Sequence, residues 1–220
     1  MNELATKYLI DGIDRLGKST LALRIQHELG YFLSIHYGKP VLLENTMAIA
    51  RMMKQDVPDT PEMQQLLSLS DENLAKRLYY EDMNSSMFEL LKTNQNLIID
   101  RTHLCEMVYA PMYRSYTGNY IYTMEKQAIE EGLNVQDVRL ILLTTSDTSI
   151  LVDDGESYDF SKKDQEQALF LEAFNQSHFA NKIVIDVCNG KGGFRTPESI
   201  VKEALYKNTS LPKASRLDKI

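Results

Sequence analysis

The chain has 220 residues, 43% of them apolar and 25% charged, with a formal net charge of -7. Those values are ordinary for a globular protein able to bury a full core, and they fit one α/β domain with room for a helical insertion. An acidic balance opposes binding to a phosphate backbone, so nucleic acid is excluded as the main partner, whereas a nucleotide needs only a local basic pocket. No apolar stretch approaches the ~20 residues of a membrane span. The N-terminus has no basic-then-apolar targeting pattern, and Cys105 and Cys188 stand in no metal-ligand spacing. A reduced cytoplasmic protein is the expectation.

In chain order, Lys7 to Asp11 is a short apolar run suited to a buried strand, and Thr20 to Gly30 is apolar at helical spacing with a glycine to close it. Tyr31 to Tyr37 predicts a second strand, Val41 to Gln55 a helix, and Asp56 to Pro61 a loop. From Glu62 to about Thr93 there is no glycine or proline, which predicts one long or bent helix. Leu97 to Asp100 is a third strand, followed by helices over Leu104 to about Tyr116 and Ile121 to Glu131. Arg139 to Thr144 is the fourth strand, Thr145 to Ser161 a polar lid-like loop, and Lys163 to Phe179 an amphipathic helix. Lys182 to Val187 is the fifth strand, a last helix opens at Pro197, and residues 208–220 are expected to be loose. Strands alternating with helices predict a parallel sheet covered on both faces, in a single domain spanning residues 1–220.

Between the first strand and first helix stand Gly12, Ile13, Asp14, Arg15, Leu16, Gly17, Lys18, Ser19 and Thr20, a Gly-x-x-x-x-Gly-Lys-Ser loop. A glycine loop at a helix N-terminus aims backbone N–H groups at phosphate oxygens. Lys18 is then expected on the β- and γ-phosphates of a nucleoside triphosphate and the Ser19 hydroxyl on Mg²⁺. The loop by itself does not choose among kinases, GTPases and ATPases. At the end of the third strand, Asp100 can orient a Mg²⁺ shell and Arg101 can clamp a second anionic group. Asp14 and Arg15 stand where most such loops carry small residues. An arginine there can swing over a transferring γ-phosphoryl as a finger in cis, and the aspartate can accept a hydrogen bond from a sugar hydroxyl.

The loop Gly-Ile-Asp-Arg-Leu-Gly-Lys-Ser-Thr resembles that of thymidylate kinases of the class with Asp-Arg inside the loop. Asp100-Arg101 through Tyr109 is similar to that family's Asp-Arg-Tyr-x-x-Ser-x-x-Ala-Tyr segment, and Glu156-Ser157-Tyr158-Asp159 to its lid motif. The resemblance covers roughly Lys7 to Phe179 and implies a P-loop NTPase three-layer fold: a five-stranded parallel sheet flanked by helices, with a short lid. It implies transfer of the γ-phosphoryl of ATP to a deoxynucleoside monophosphate (dNMP), dTMP or a related pyrimidine, with Arg15, Lys18 and Asp100 as the catalytic groups. By position, Arg15 would touch donor and acceptor phosphates, Asp14 the acceptor's 3′-hydroxyl, and Arg101 its monophosphate. Asp100 would stand near the metal, partly through water, and Lys39 near phosphate. Tyr158 would press on the sugar where a 2′-hydroxyl would sit. Thr145 to Ser161 contains no arginine, as in family members that carry the P-loop arginine. The family often pairs as dimers through helices.

Departures stand beside the matches. Thr102, Cys105 and Val108 replace the family's tyrosine, serine and alanine. Tyr80 holds the place of the base-reading arginine, with Arg77 and Tyr79 nearby but out of register; Arg77 is either a displaced equivalent or a helix-surface charge. Tyr109, Tyr113, Tyr116, Tyr120 and Tyr122 can wall a base pocket or simply pack helices. His36 and His103 are read as structural, because a phosphate acceptor needs no strong base. Two other readings remain at this stage: a deoxynucleoside kinase on the same fold, which needs a carboxylate after the second strand, and a non-catalytic P-loop nucleotide-binding regulator.

Overall fold

Five short apolar segments pair side by side in parallel: β1 (Lys7–Asp11), β2 (Leu33–His36), β3 (Leu97–Asp100), β4 (Val138–Thr144) and β5 (Lys182–Asp186), in the order β2-β3-β1-β4-β5. The computed structural model describes residues 5–30, 32–37, 44–54, 60–153, 155 and 159–207. β1, β3 and β4 are buried along their whole length, as strands covered on both faces must be. The edge strands differ: Leu33 on β2 and Val184 on β5 are exposed.

Eight helices are described: α1 (Lys18–Leu29), α2 (Glu44–Met53), α3 (Pro61–Leu67), α4 (Asp71–Lys92), α5 (Leu104–Tyr113), α6 (Tyr120–Glu130), α7 (Lys163–Gln176) and α8 (Pro197–Tyr206). α1 packs with α8, α5 with α7, and α4 with α2 and α6, so helices flank the sheet in three layers. Tyr8, Leu9, Ile10, Ile98, Ile99, Ile141 and Phe170 lie in the core between them. In register, Ile10 of β1 lies opposite Asp100 of β3. The segments leaving β1 and β3 therefore emerge side by side at the carboxyl edge, where open parallel sheets place their ligand crevices.

Several boundaries differ from expectation. The predicted helix from Glu62 to Thr93 is two, α3 and α4, parted at Ser68–Ser70. The Ser70 hydroxyl accepts from Asn73 N–H at 3.1 Å and starts α4 anew, so a serine cap breaks the run without glycine or proline. Thr60 caps α3 in the same way, with Pro61 in its first turn as predicted. α1 begins at Lys18, two residues earlier than expected, because left-handed Gly17 (φ 81°) supplies its N-cap. α5 ends at Tyr113, short of Tyr116, α7 ends at Gln176, short of Phe179, and β2 is shorter than predicted at both ends. Within 145–161, two single turns form, Thr148–Ile150 and Phe160–Lys162, each opened by an aspartate side chain (Asp147, Asp159) that accepts from the backbone two residues on. The tail 208–220 lies outside the described residues. Among those described, no helix is long and apolar enough to cross a membrane.

One buried carboxylate ties three segments together. Glu125 of α6 accepts from the Ser177 hydroxyl (2.6 Å), from His178 N–H (2.8 Å) and from His178 Nδ1 (2.9 Å), and lies 3.2 Å from His103 Nε2. Burial would raise its pKa, but the His103 contact and the other hydrogen bonds outweigh burial and hold it at about 2. Because the folded value lies below the unfolded one, the stabilisation is complete above the ordinary glutamate range and lost as pH falls toward 2. Glu125→Gln is expected to lower unfolding free energy by about 3 kcal/mol at neutral pH. In urea titrations the gap to wild type should hold steady above pH 5 and narrow between pH 4.5 and 2; a pH-independent gap would remove the ionic contribution. His103 is fully buried and belongs to this staple, as its structural reading requires.

Candidate active site

The P-loop turns out of β1 and into α1 through a backbone that only special conformations allow. Gly12 has φ 137°, and a Cβ placed there would meet the Leu143 carbonyl oxygen at 2.4 Å. Arg15 adopts φ 74° although it is not glycine. Ile13 and Leu16 bury their side chains in the core, which anchors the loop and leaves its backbone to face a ligand. Lys18 folds onto the loop itself, donating from Nζ to the Ile13 carbonyl at 2.8 Å, and burial pushes its pKa down.

The Ser19 hydroxyl donates to Asp100 Oδ2 at 2.5 Å, and His36 Nδ1 lies 2.9 Å from the same oxygen. Asp100 Oδ1 is buried and has no hydrogen-bond partner among the described residues. A hydroxyl and a carboxylate with a spare buried oxygen form a hard-oxygen set that fits Mg²⁺. Ser19 and Asp100 would hold the ion, which supplies charge neutralisation for phosphates when bound. His36 was read as structural, yet it stands at the site because β2 runs beside β3 with His36 opposite Asp100.

Around Asp14 three cations gather. Arg101 lies 2.9 Å and Lys18 3.7 Å from Oδ1, while Lys163 lies 4.0 Å from Oδ2. Arg101 leaves β3 with φ 66°, its N–H held by the Ile10 carbonyl at 3.0 Å. Asp11 steadies that turn: it accepts from Thr102 N–H at 2.9 Å, from the Thr102 hydroxyl, and from Cys105 Sγ at 3.2 Å. Thr102, which departs from the resembled motif, thus has a defined partner here. Burial pushes the Cys105 thiol well above its usual range. Tyr109 is buried nearby; burial first and then Asp14 push its phenol well above the ordinary value.

A cavity of about 170 Å³ is lined by Arg15, Leu16, Gly17, Thr20, Leu143 and Phe194, among others.

Arg77 and Tyr80 join another cluster. The Arg77 guanidinium lies 3.4 Å over the Tyr120 ring and pairs with Glu81, and the Arg114 guanidinium lies 3.8 Å over the Tyr80 ring. At its centre Glu106 is buried and pairs with Arg114, the Tyr116 hydroxyl (2.7 Å) and the Tyr120 hydroxyl (3.1 Å). Arg77 is therefore a buried cation, not a solvated surface charge. Lys39 and Tyr158 lie outside the described residues. Sequence reading missed Lys163, Glu166 and Asp11. Only Asp11, a charge at the end of an apolar strand, carried a local signal.

No protein-family model matches the chain, and no curated protein sequence does. Solved structures match. The YorR protein of Bacillus subtilis, in complex with phosphorylated GDP, has a TM-score of 0.53 at 19% identity, over 90% of this chain and 92% of that one. A thymidylate kinase from Candida albicans has a TM-score of 0.49 at 18% identity, over 91% and 89%. A deoxyadenosine kinase from M. mycoides has a TM-score of 0.47 at 14% identity, over 89% and 95%. The likeness to YorR rests on backbone arrangement, and what the two chains share is the α/β fold, a parallel five-stranded sheet flanked by helices.

Proposed function

We propose that this chain is a nucleotide kinase that moves the γ-phosphoryl of ATP to a deoxynucleoside monophosphate, with a pyrimidine such as dTMP as the favoured acceptor. One observation carries the reading: Arg101, Lys18 and Lys163 surround Asp14 inside the P-loop, which makes a second anion site beside the one the loop amides form. The motif resemblance supports it, and so does the P-loop arginine paired with a lid lacking one.

Donor phosphates lie along the loop amides and draw Lys18 off the Ile13 carbonyl. Arg101 takes the acceptor phosphate, and Asp14 meets a sugar hydroxyl. Arg15 spans the transferring phosphoryl. No general base is required, since a monophosphate acceptor is largely ionised near pH 7 (second pKa about 6). The protein contributes position and charge, and exclusion of water protects ATP from hydrolysis.

The test is an acceptor panel: Mg-ATP with each dNMP, then with thymidine and deoxycytidine, following ADP. The expected outcome is ADP release dependent on a pyrimidine dNMP. Turnover of the free nucleosides instead would make the protein a nucleoside kinase, and no acceptor-dependent ADP would refute kinase activity.

A further inference from the structure

The geometry points to Lys163 as a positioning residue for the acceptor's sugar: its ammonium holds the Asp14 carboxylate in place once phosphates occupy the P-loop. The inference rests on the kinase reading above.

Lys163 is the first residue of α7, and its side chain is only 3% exposed. Burying an ammonium requires close partners. One is Glu166, whose Oε2 accepts from Lys163 Nζ at 2.8 Å and whose Oε1 accepts from the Tyr113 hydroxyl at 2.8 Å. The other is Asp14, 4.0 Å away. Asp14 divides its oxygens: Oδ1 faces Arg101 and Lys18, and Oδ2 faces Lys163.

That division matters when substrate binds. Phosphate groups compete for Arg101 and Lys18, the two cations on Oδ1, and bring negative charge next to Asp14. Repulsion then pushes the carboxylate away from its position. Lys163 faces the other oxygen and is locked by Glu166, so it stays with Asp14. An ionised carboxylate only accepts hydrogen bonds. Beside the phosphate of a bound nucleotide, a hydroxyl of the sugar is a donor from which it can accept. Lys163 thus keeps Asp14 aimed at that hydroxyl.

The experiment compares wild type with Lys163→Gln on a preferred dNMP and on its 2′,3′-dideoxy analogue, with KM for ATP measured alongside. Loss of a hydrogen bond to a charged group is worth about 10- to 100-fold. Lys163→Gln should lower kcat/KM for the dNMP by about 30-fold. It should leave KM for ATP unchanged and show little penalty on the dideoxy acceptor. Equal penalties on both acceptors, or a matching loss of ATP affinity, would make Lys163 a staple between α5 and α7 and overturn the inference alone. Should Lys163→Gln fail to fold, Lys163→Arg keeps the charge but displaces it, and an unchanged deoxy-to-dideoxy ratio in that variant overturns the inference. Wild-type protein that uses no dNMP overturns the kinase reading and this inference with it.

Discussion

Arg15→Ala is expected to lower turnover by about 10³-fold while leaving the folded protein intact. Arg15 is exposed at the mouth of the cavity beside the P-loop, so its loss opens no hole in the core. Its backbone is already left-handed at φ 74°, a conformation that costs alanine about what it costs arginine. The catalytic loss is large because substitutes are scarce. Residues 145–161 contain no arginine. Arg195 also lines the cavity, but its guanidinium is tied to the Asp186 carbonyl at 2.8 Å and to Glu203 at 2.7 Å. Arg101 is engaged by Asp14. Steady-state kcat, read beside an unfolding midpoint, checks the expectation. Near-normal turnover with a normal midpoint would take the transferring phosphoryl away from Arg15. Arg15→Lys should recover only part of the rate, because an ammonium lacks the planar fork that spans two phosphates.

Gly12→Ala should act on the fold instead. Its Cβ would lie 2.4 Å from the Leu143 carbonyl oxygen, and both sides of the clash are backbone of neighbouring strands or their exits. Neither can retreat without parting β1 from β4. The φ of 137° adds a conformational penalty that any side chain would meet. Together these should cost about 3 kcal/mol or more. Gly17→Ala is the matched comparison: φ is also positive, at 81°, but open space surrounds the new methyl. It should cost about 1 kcal/mol. Urea midpoints measure both, and equal losses would show that close approach to Leu143 contributes nothing.

The features readable from the chain are those whose causes are local. Gly17, Lys18 and Ser19 signal a loop and helix start because glycine supplies the left-handed cap. The apolar runs of β1, β3 and β4 announce buried parallel strands because strands covered on both faces cannot alternate. Asp100 declares itself as a charge ending such a run. Where the reading failed locally, a weak signal was outvoted: Ser70 caps α4 in a stretch with no stronger breaker.

The remainder is set by pairing across the chain. His36 reaches Asp100 because β2 aligns with β3, 64 residues apart in sequence. Lys163 meets Asp14 because α7 packs on α5 beside the loop, and nothing in Lys163's neighbours in sequence separates it from the exposed Lys162. Arg77 and Tyr80 sit on a 22-residue helix that is buried at several positions around its circumference. Spacing cannot say which of its sides meets α5, α6 or a ligand. The P-loop is thus legible from nine consecutive residues, because the conformation it needs is carried by its own glycines and their immediate neighbours. The acceptor side is not. Its cations come from α1, from the turn after β3 and from α7, and only the folded sheet and its packed helices bring them within 4.0 Å of one carboxylate.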